Sequence, residues 1–428
     1  MIPAGETMVY REILSAISSG QLERAAEACQ EAIRNRPTDG RAWLLLAAVH
    51  NRLGDVKRSI DHLRMAAANA GDDRALLREA VDALLNIRAF SEAEQVLENA
   101  DLSDPLLVLA LARCRWNRGE YARARTMMAE LWNLFPTRPP MAIYYARALM
   151  SLDDRAEAAR VLDTALAQYP DDRELQSLRA RVLVSEEGVD RALEWIRARG
   201  DPGVPDQYGL LARALADIRR GQLSSPGPLD KEWRPAWEGF AELFSLKPER
   251  WVGDNTVLLN HAVSAAPAEG LIVECGVFRG RSINLMAAWA PERRLHGFDS
   301  FEGLPENWGT EPAGSYSAGG QLPEVADNVT LHPGWFEDTL PRFAEELAEP
   351  IALLYVDCDI YSSTVTILEH LGPKLTPGAI VVFDEYVGYS DWREHEYRAW
   401  QEYQGKKKIP WQAVGAVVLG PILALRVG

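Results

Sequence analysis

Residues 272–282 read IVECGVFRGRS, an apolar strand that runs into a turn containing Gly276 and Gly280. The next short strand, RLHGF, is followed by Asp299. A strand that stops at a glycine turn lets backbone N–H groups and a helix N-terminus approach a ligand closely. An acid at the end of the neighbouring strand can hydrogen-bond the hydroxyl pair of a ribose. These residues predict a nucleoside-binding turn.

The composition of the turn indicates which nucleoside it binds. Val277 and Phe278 stand where a dinucleotide-binding turn needs glycines to admit a pyrophosphate. The acidic Glu274 at the strand end would repel phosphate and suits an ammonium or sulfonium group. S-adenosylmethionine therefore fits this turn better than NAD.

Acidic residues follow two further apolar strands. ALLYVDCDIYSST places Asp357 and Asp359 at one strand end, and AIVVFDEY places Asp384 and Glu385 at another. Parallel strands end on the same edge of a sheet, where ligands bind, so these carboxylates should converge. Several hard oxygen donors in one place predict a divalent cation.

Five motifs in the C-terminal half together resemble a known family. ECGVFRG, FDSFEGLP, GWFEDTLP, DCDIYSST and DEY are similar to motifs of the macrocin O-methyltransferase family, in the same order and spacing, across roughly residues 250–405. Its members are metal-dependent enzymes that methylate sugar hydroxyls of macrolides and related glycosides. A looser likeness to catechol-type O-methyltransferases covers the first turn and the metal acids.

The resemblance, with the turn, assigns expected roles to individual residues. Magnesium is expected on Asp357, Asp384 and Glu385, although the family usually has two aspartates at the last two positions. Glu274 should meet the amino group of the cofactor, Asp299 its ribose, and Ser282 should cap the following helix. The predicted cofactor-binding residues are Glu274, Gly276, Phe278, Gly280, Ser282, Asp299, Ser300, Trp335 and Phe336, the last two being equally compatible with a core role.

The general base is left open by the sequence. Catechol-type enzymes carry a lysine three residues after the first metal acid, and Ile360 occupies that place here. The remaining candidates are Asp359, His261, His332 and His395. We favour Asp357 as both ligand and proton acceptor, with His395 as the second choice.

The C-terminal half predicts a Rossmann-like class I methyltransferase domain with a seven-stranded sheet. The strands are expected at 271–276, 294–299, 329–334, 352–357, 379–384, 411–419 and 421–427, with helices between the first five. The last two should form an antiparallel pair around a Gly420-Pro421 turn.

The N-terminal half repeats with a period near 34 residues. Small residues recur at Ala25, Ser59, Ala93, Ala124, Ala158 and Ala192, and Pro or Gly follows each of the first five units. This is the tetratricopeptide pattern, in which the small residue lets two helices pack closely. About six repeats should stack as an all-α superhelix, giving an α + α/β chain.

Domain boundaries and the role of the repeats are less sharply defined. Glycine- and proline-rich stretches within residues 200–230 predict a repeat domain at 1–220 and a methyltransferase domain at 221–428. The repeat groove would hold a protein or peptide partner, or the repeats would pack on the catalytic domain or form a homo-oligomer.

Charge and composition limit the classes of partner. The net charge is −16, with 16 basic and 29 acidic residues in 221–428, so a nucleic-acid substrate is disfavoured. No apolar run is long enough to span a membrane, and the first fifteen residues lack the pattern of a secretory signal. Four dispersed cysteines suggest a reduced, cytoplasmic protein without zinc.

The sequence therefore predicts a magnesium-dependent S-adenosylmethionine O-methyltransferase that acts on a hydroxyl of a sugar or glycosylated natural product. Two alternatives stay open. The repeat groove could present a peptide or protein as the methyl acceptor, or the chain could be a catalytically silent repeat scaffold.

Overall fold

The computed structural model describes residues 4–136, 138–200, 206–309 and 311–428. It divides into two compact units, Met1–Phe135 and Pro136–Gly428. The first unit contains α1 (Ala4–Ser18), α2 (Leu22–Asn35), α3 (Gly40–Arg52), α4 (Val56–Ala68), α5 (Arg74–Asn86), α6 (Phe90–Glu98), α7 (Pro105–Asn117) and α8 (Tyr121–Leu134). The second begins with α9 (Pro139–Ser151), α10 (Arg155–Gln168), α11 (Arg173–Glu187), α12 (Val189–Arg197), α13 (Gln207–Arg220) and α14 (Arg234–Ser245).

Helices α1 to α12 pair in order as the predicted hairpins. The small residue of each second helix is at most 1% exposed, namely Ala25, Ser59, Ala93, Ala124, Ala158 and Ala192. The hydroxyl of Ser59 donates to the carbonyl of Ala47 in the first helix of its hairpin, which satisfies the one polar group in this set. The predicted repeat period is thus confirmed as a helix-packing period.

Turns within the hairpins have residues in the left-handed backbone conformation. Gly54 and Gly119 have φ of +80° and +83°, a region that glycine enters without a steric penalty. Asp153 takes the equivalent place in the fifth hairpin with φ of +65°. Aspartate tolerates this conformation better than most residues.

A mixed eight-stranded sheet follows the helices within the part of the chain that the structure describes. Its elements are β1 (Trp251–Val252), α15 (Asn255–Ala265), β2 (Leu271–Cys275), α16 (Arg281–Trp289), β3 (Leu295–Asp299), β4 (Val329–Pro333), α17 (Phe336–Glu346), β5 (Ile351–Val356), α18 (Tyr361–Leu371), β6 (Leu375–Phe383), α19 (Glu396–Lys407), β7 (Trp411–Val417) and β8 (Leu423–Val427). The spatial order is β1-β7-β8-β6-β5-β2-β3-β4, and only the pairs made by β8 are antiparallel.

The predicted fold class, α + α/β, is confirmed, with two corrections. The sheet gains an eighth strand, because the two-residue β1 pairs with β7. The helix expected between β3 and β4 does not form among the described residues of that connection, where the chain makes turns instead. Prolines and glycines throughout 303–323 interrupt any helix.

The last repeat helices share a hydrophobic core with the region that leads into the sheet. Leu183 of α11 and Leu211 of α13 belong to one buried cluster with Trp237, Phe240 and Val418. Beside this cluster, the guanidinium of Arg181 donates to the carbonyls of Gly253 and Val418, at 3.2 and 3.0 Å. Helices α11 to α13 are therefore joined to the sheet region through both apolar and polar contacts.

The predicted boundary at 220/221 stays a prediction. Part of its glycine- and proline-rich stretch, residues 201–205, lies outside the described residues, and α13 (Gln207–Arg220) lies within the rest. Among the described helices, none is long and apolar enough to cross a membrane.

Candidate active site

Three strand ends meet side by side at the carboxyl edge of the sheet. The N–H of Asp357 donates to the carbonyl of Cys275, and that of Asp384 to the carbonyl of Val356, at 2.9 and 3.0 Å. The ends of β2, β5 and β6 are thereby held in register. Gly276, Asp357 and Asp384 are brought together as the sequence predicted.

The glycine turn packs against the neighbouring strand end with no room for a side chain. Gly276 has φ of +102°, and a Cβ there would lie 1.7 Å from the carbonyl oxygen of Asp357. Gly280 has φ of +77° and immediately precedes α16. The turn therefore exposes backbone rather than side chains to a ligand at this edge.

Asp299, at the end of β3, is hydrogen-bonded to the glycine turn. Its two carboxylate oxygens accept the N–H groups of Phe278 and Phe301, at 2.7 and 2.6 Å. Burial raises the pKa of this carboxyl, and the backbone hydrogen bonds partly oppose that rise. Each oxygen keeps a further lone pair that can accept a ribose hydroxyl. Ribose binding by Asp299 itself stays a prediction.

Glu274 is fully buried next to the turn. The hydroxyl of Ser282 donates to one of its oxygens, and the other oxygen has no partner. Burial raises the pKa of Glu274 to about 8. The expected capping role of Ser282 is wrong: Gly280 occupies the N-cap position of α16, no side chain caps it, and the Ser282 hydroxyl is used by Glu274 instead.

The predicted adenine-pocket residues lie around the same edge. Ser300 directly follows β3, and Trp335 and Phe336 stand at the start of α17 after β4, all half-buried. Phe336 packs against the core, and the ring of Phe278 meets Tyr316 edge-to-face at 6.3 Å. Their contact with a nucleoside stays a prediction.

The acids at the ends of β5 and β6 both have raised pKa values, and burial is the main cause for each. Asp357 has its pKa raised well above the usual range, first by burial and then by the charges of Asp384 and Asp359. The phenol of Tyr355 donates to Asp384 at 2.6 Å and fixes the orientation of that carboxylate. Two of the three predicted metal ligands are therefore neighbours, in surroundings that disfavour their negative charge.

The described residues do not assemble a complete metal site. Within the described ranges, no group of three or more His, Cys, Asp or Glu side chains is arranged to hold a metal ion. The third predicted ligand, Glu385, has its backbone N–H bound to the carboxylate of Glu396 at 3.0 Å.

Glu396 is a site residue that the sequence analysis missed. It is fully buried, and its pKa is raised well above the usual range by burial and by Asp359, Asp384 and Glu385. In the sequence it looked like an ordinary acid in the first turn of a helix. The signal that could have found it is its place in an apolar stripe with Ala399 and Trp400, at i+3 and i+4.

The histidine candidates for the general base fall in different places. His395 Nε2 lies 3.2 Å from Asp391, just before α19 and beside the buried acid. His332 pairs with His296 at 2.9 Å and stacks on Phe298. His261 lies on α15, and burial lowers its pKa.

Models of known protein families match both the sheet region and the helical repeats. Residues 273–386 match the model of a methyltransferase domain, and residues 10–74 and 116–182 match two models of the tetratricopeptide repeat. The chain combines a methyltransferase domain with tetratricopeptide repeats. The methyltransferase domain model spans the glycine turn and the acids of β5 and β6.

Curated relatives resemble the methyltransferase domain region. A tetracenomycin rhamnosyl 4'-O-methyltransferase of Streptomyces olivaceus is 33% identical over 31% of this chain and 59% of its own length. Mycinamicin III 3''-O-methyltransferase of Micromonospora griseorubida is 31% identical over 33% and 66%. Demethyldecarbamoylnovobiocin O-methyltransferase of Streptomyces niveus is 32% identical over 30% and 58%. The chain thus spans less than two thirds of each relative.

Proposed function

We propose that the protein transfers a methyl group from S-adenosylmethionine to a hydroxyl of a sugar or glycosylated natural product. The observation that carries the proposal is the convergence of the glycine turn with Asp357 and Asp384 at adjacent strand ends of a methyltransferase domain. The names of the relatives support the acceptor class, since they include a rhamnosyl 4'-O-methyltransferase and mycinamicin III 3''-O-methyltransferase.

The residues of β2 and β3 would bind and orient the cofactor, which supplies an electrophilic methyl group on a sulfonium centre. Gly276 and Gly280 would present backbone to it. Asp299, which accepts the N–H groups of Phe278 and Phe301, would accept the ribose hydroxyls with its remaining lone pairs. The unpaired oxygen of the buried Glu274 is available to the amino group, directly or through water.

Asp357, Asp384 and Glu385 would hold magnesium, which lowers the pKa of a bound acceptor hydroxyl. The donor set fits this ion in chemistry, because it consists of carboxylate oxygens only. The raised pKa of Asp357 fits it as well, since a cation would remove the repulsion that Asp357 meets from Asp384 and Asp359.

Two groups are proposed to accept the hydroxyl proton. Asp357 is the first choice, because as a ligand of the proposed magnesium it would lie next to the acceptor hydroxyl. His395 is the second choice: Asp391 holds its Nε2, and its buried Nδ1 has no partner.

The repeats are proposed to recruit a partner or to assemble the protein. The tetratricopeptide matches support protein interaction as their role. Light scattering of the full chain, and capture of a peptide partner by residues 1–135, would separate assembly from recruitment.

The function is tested with the full chain, labelled S-adenosylmethionine and a set of glycosides that carry free ring hydroxyls. Label transferred to a glycoside, and lost with EDTA, is the expected result. Transfer to a peptide but to no glycoside would favour the peptide alternative. Tight cofactor binding without transfer to any acceptor would favour the silent scaffold, and full transfer in EDTA would remove magnesium from the mechanism.

A further inference from the structure

Four buried polar atoms without a hydrogen-bond partner cluster beside the acids. They are Trp308 Nε1, Tyr389 OH, His395 Nδ1 and Glu396 Oε1. Trp308 lies in the long connection between β3 and β4, Tyr389 follows β6, and the other two residues start α19. Folded proteins pair nearly all buried polar groups, so a local concentration of unpaired ones needs an explanation.

Three rings contact one another, with Trp308 edge-to-face to the other two, and we call them the aromatic panel (Trp308, Tyr389 and His395). The ring centres of Trp308 and Tyr389 are 5.4 Å apart, those of Tyr389 and His395 6.1 Å, and those of Trp308 and His395 6.5 Å. The connection between β3 and β4 thus contacts the segment between β6 and α19.

The aromatic panel adjoins the predicted metal acids. Glu396 accepts the backbone N–H of Glu385 with one oxygen, which leaves its other oxygen unpaired. After burial, the charges of Glu396 and Glu385 contribute most to raising the pKa of Tyr389. A ligand on the panel would therefore lie next to the carboxylates that are proposed to prepare the reacting hydroxyl.

We propose that the aromatic panel and Glu396 form the binding subsite for the acceptor, and that its ligand is an uncharged pyranose ring with two neighbouring free hydroxyls. The inference rests on the proposed function and specifies its substrate site. Opening of the panel around Trp308 would let the apolar face of the ring lie against the aromatic side chains, with its hydroxyls at the four unpaired atoms.

The hydrogen-bonding character of the four atoms selects this ligand class. Trp308 Nε1 can only donate, whereas the phenol of Tyr389 can donate and accept. The free oxygen of Glu396 accepts when the group is ionised and can donate when it is protonated, and His395 Nδ1 does either according to its tautomer. A hydroxyl does both, so a pair of hydroxyls satisfies the set. A lysine or arginine side chain offers donors only and would leave the indole unpaired, and an anion would be repelled by the neighbouring acids.

Saturation-transfer NMR with methyl α-L-rhamnopyranoside tests the subsite on the full chain. The wild type should transfer saturation to the ring protons of the sugar. Tyr389→Phe, which removes only the hydroxyl, should weaken the affinity by about fivefold, and Trp308→Ala by about tenfold or more. Tyr397→Phe is the matched control, because that hydroxyl is bound to Glu242.

The outcomes separate this proposal from the proposed function. Absence of sugar binding by the wild type, or equal binding by Tyr389→Phe, Trp308→Ala and Tyr397→Phe, would overturn the subsite. Calorimetry with S-adenosylmethionine on the same proteins tests cofactor binding, on which the proposed function depends. Sugar binding by a chain that binds no cofactor would contradict the proposed function and support the subsite. Binding of N-acetyl-lysine methyl amide or free lysine in place of the sugar would also contradict the proposal.

Discussion

At the scale of single residues, Glu274 has the environment with the clearest thermodynamic consequence. Its side chain is fully buried, one oxygen is unpaired, and its pKa is raised to about 8 from an ordinary value of 4.5. The folded protein therefore holds a proton that the unfolded chain releases above pH 4.5. The contribution of this group to the free energy of unfolding is fully present below pH 4.5 and is lost as the pH rises through 8.

Glu274→Gln should remove this pH dependence, because an amide does not titrate. The free energy of unfolding of the variant, relative to the wild type, should increase with pH between 5 and 8, by at most about 1.4 kcal/mol per pH unit. Urea unfolding at a series of pH values measures it. Glu349→Gln, at a half-exposed side chain, is the control. A constant difference between variant and wild type across the range would show that Glu274 is ionised in the fold.

Magnesium binding at the strand-end acids can be tested by changing single carboxylates. Magnesium should raise the melting temperature of the wild type, since it relieves the repulsion around Asp357, and Asp384→Asn should abolish the increase. Asp359→Asn should have a milder effect, because Asp359 is not among the predicted ligands. Asp338→Asn on exposed α17 is the control. An equal magnesium shift in Asp384→Asn and wild type would contradict the assignment.

At the scale of elements, α11 joins the repeats to the catalytic region through Arg181. This guanidinium is buried deeply enough to lower its pKa to about 10, and it satisfies two carbonyls from separate loops. Nearby, Ser185 donates to Asp254 and accepts the N–H of Gly253. The contact is specific in its polar groups and not only apolar.

Arg181→Met should destabilise the second unit by roughly 2–4 kcal/mol, because the carbonyls of Gly253 and Val418 lose their donor while remaining buried. Arg191→Met is the matched control, since that side chain is half-exposed on α12. Urea unfolding followed by circular dichroism measures both variants. A loss below about 0.5 kcal/mol in Arg181→Met would mean that water replaces the guanidinium.

Elements differ in how well the sequence predicted them. Strands such as β5 were predictable because they are buried on both faces and read as uninterrupted apolar runs. The strand β1 has only two residues and carries no periodic signal. The aromatic panel could not be predicted as a cluster, since Trp308 meets Tyr389 and His395 only through tertiary folding.

At the scale of the whole molecule, the sequence and the structure suggest different places to divide the chain. Composition changes around residues 200–230, whereas the compact units divide after Phe135. The reason is physical: α11 and α13 bury Leu183 and Leu211 against Trp237, so the last repeats complete a core that the catalytic region shares.

Truncation distinguishes the two divisions. A chain of residues 136–428 should fold cooperatively, whereas a chain of residues 229–428 should expose Trp237 and Phe240 and aggregate or unfold at a lower temperature. Size-exclusion chromatography and thermal unfolding compare them. Equal stability of the two would show that the boundary near 220 is the energetic one.

We propose above all that the glycine turn of this chain binds S-adenosylmethionine. Isothermal titration calorimetry of the purified full chain measures the affinity and stoichiometry of this binding. We expect one cofactor per chain, and a loss of roughly 1.5–3 kcal/mol or more of binding free energy in Asp299→Ala, since that carboxylate holds the turn and is proposed to bind the ribose. S-adenosylhomocysteine should compete for the same site, and NAD should not. Absence of binding by the wild type, or binding of NAD in its place, would contradict the account.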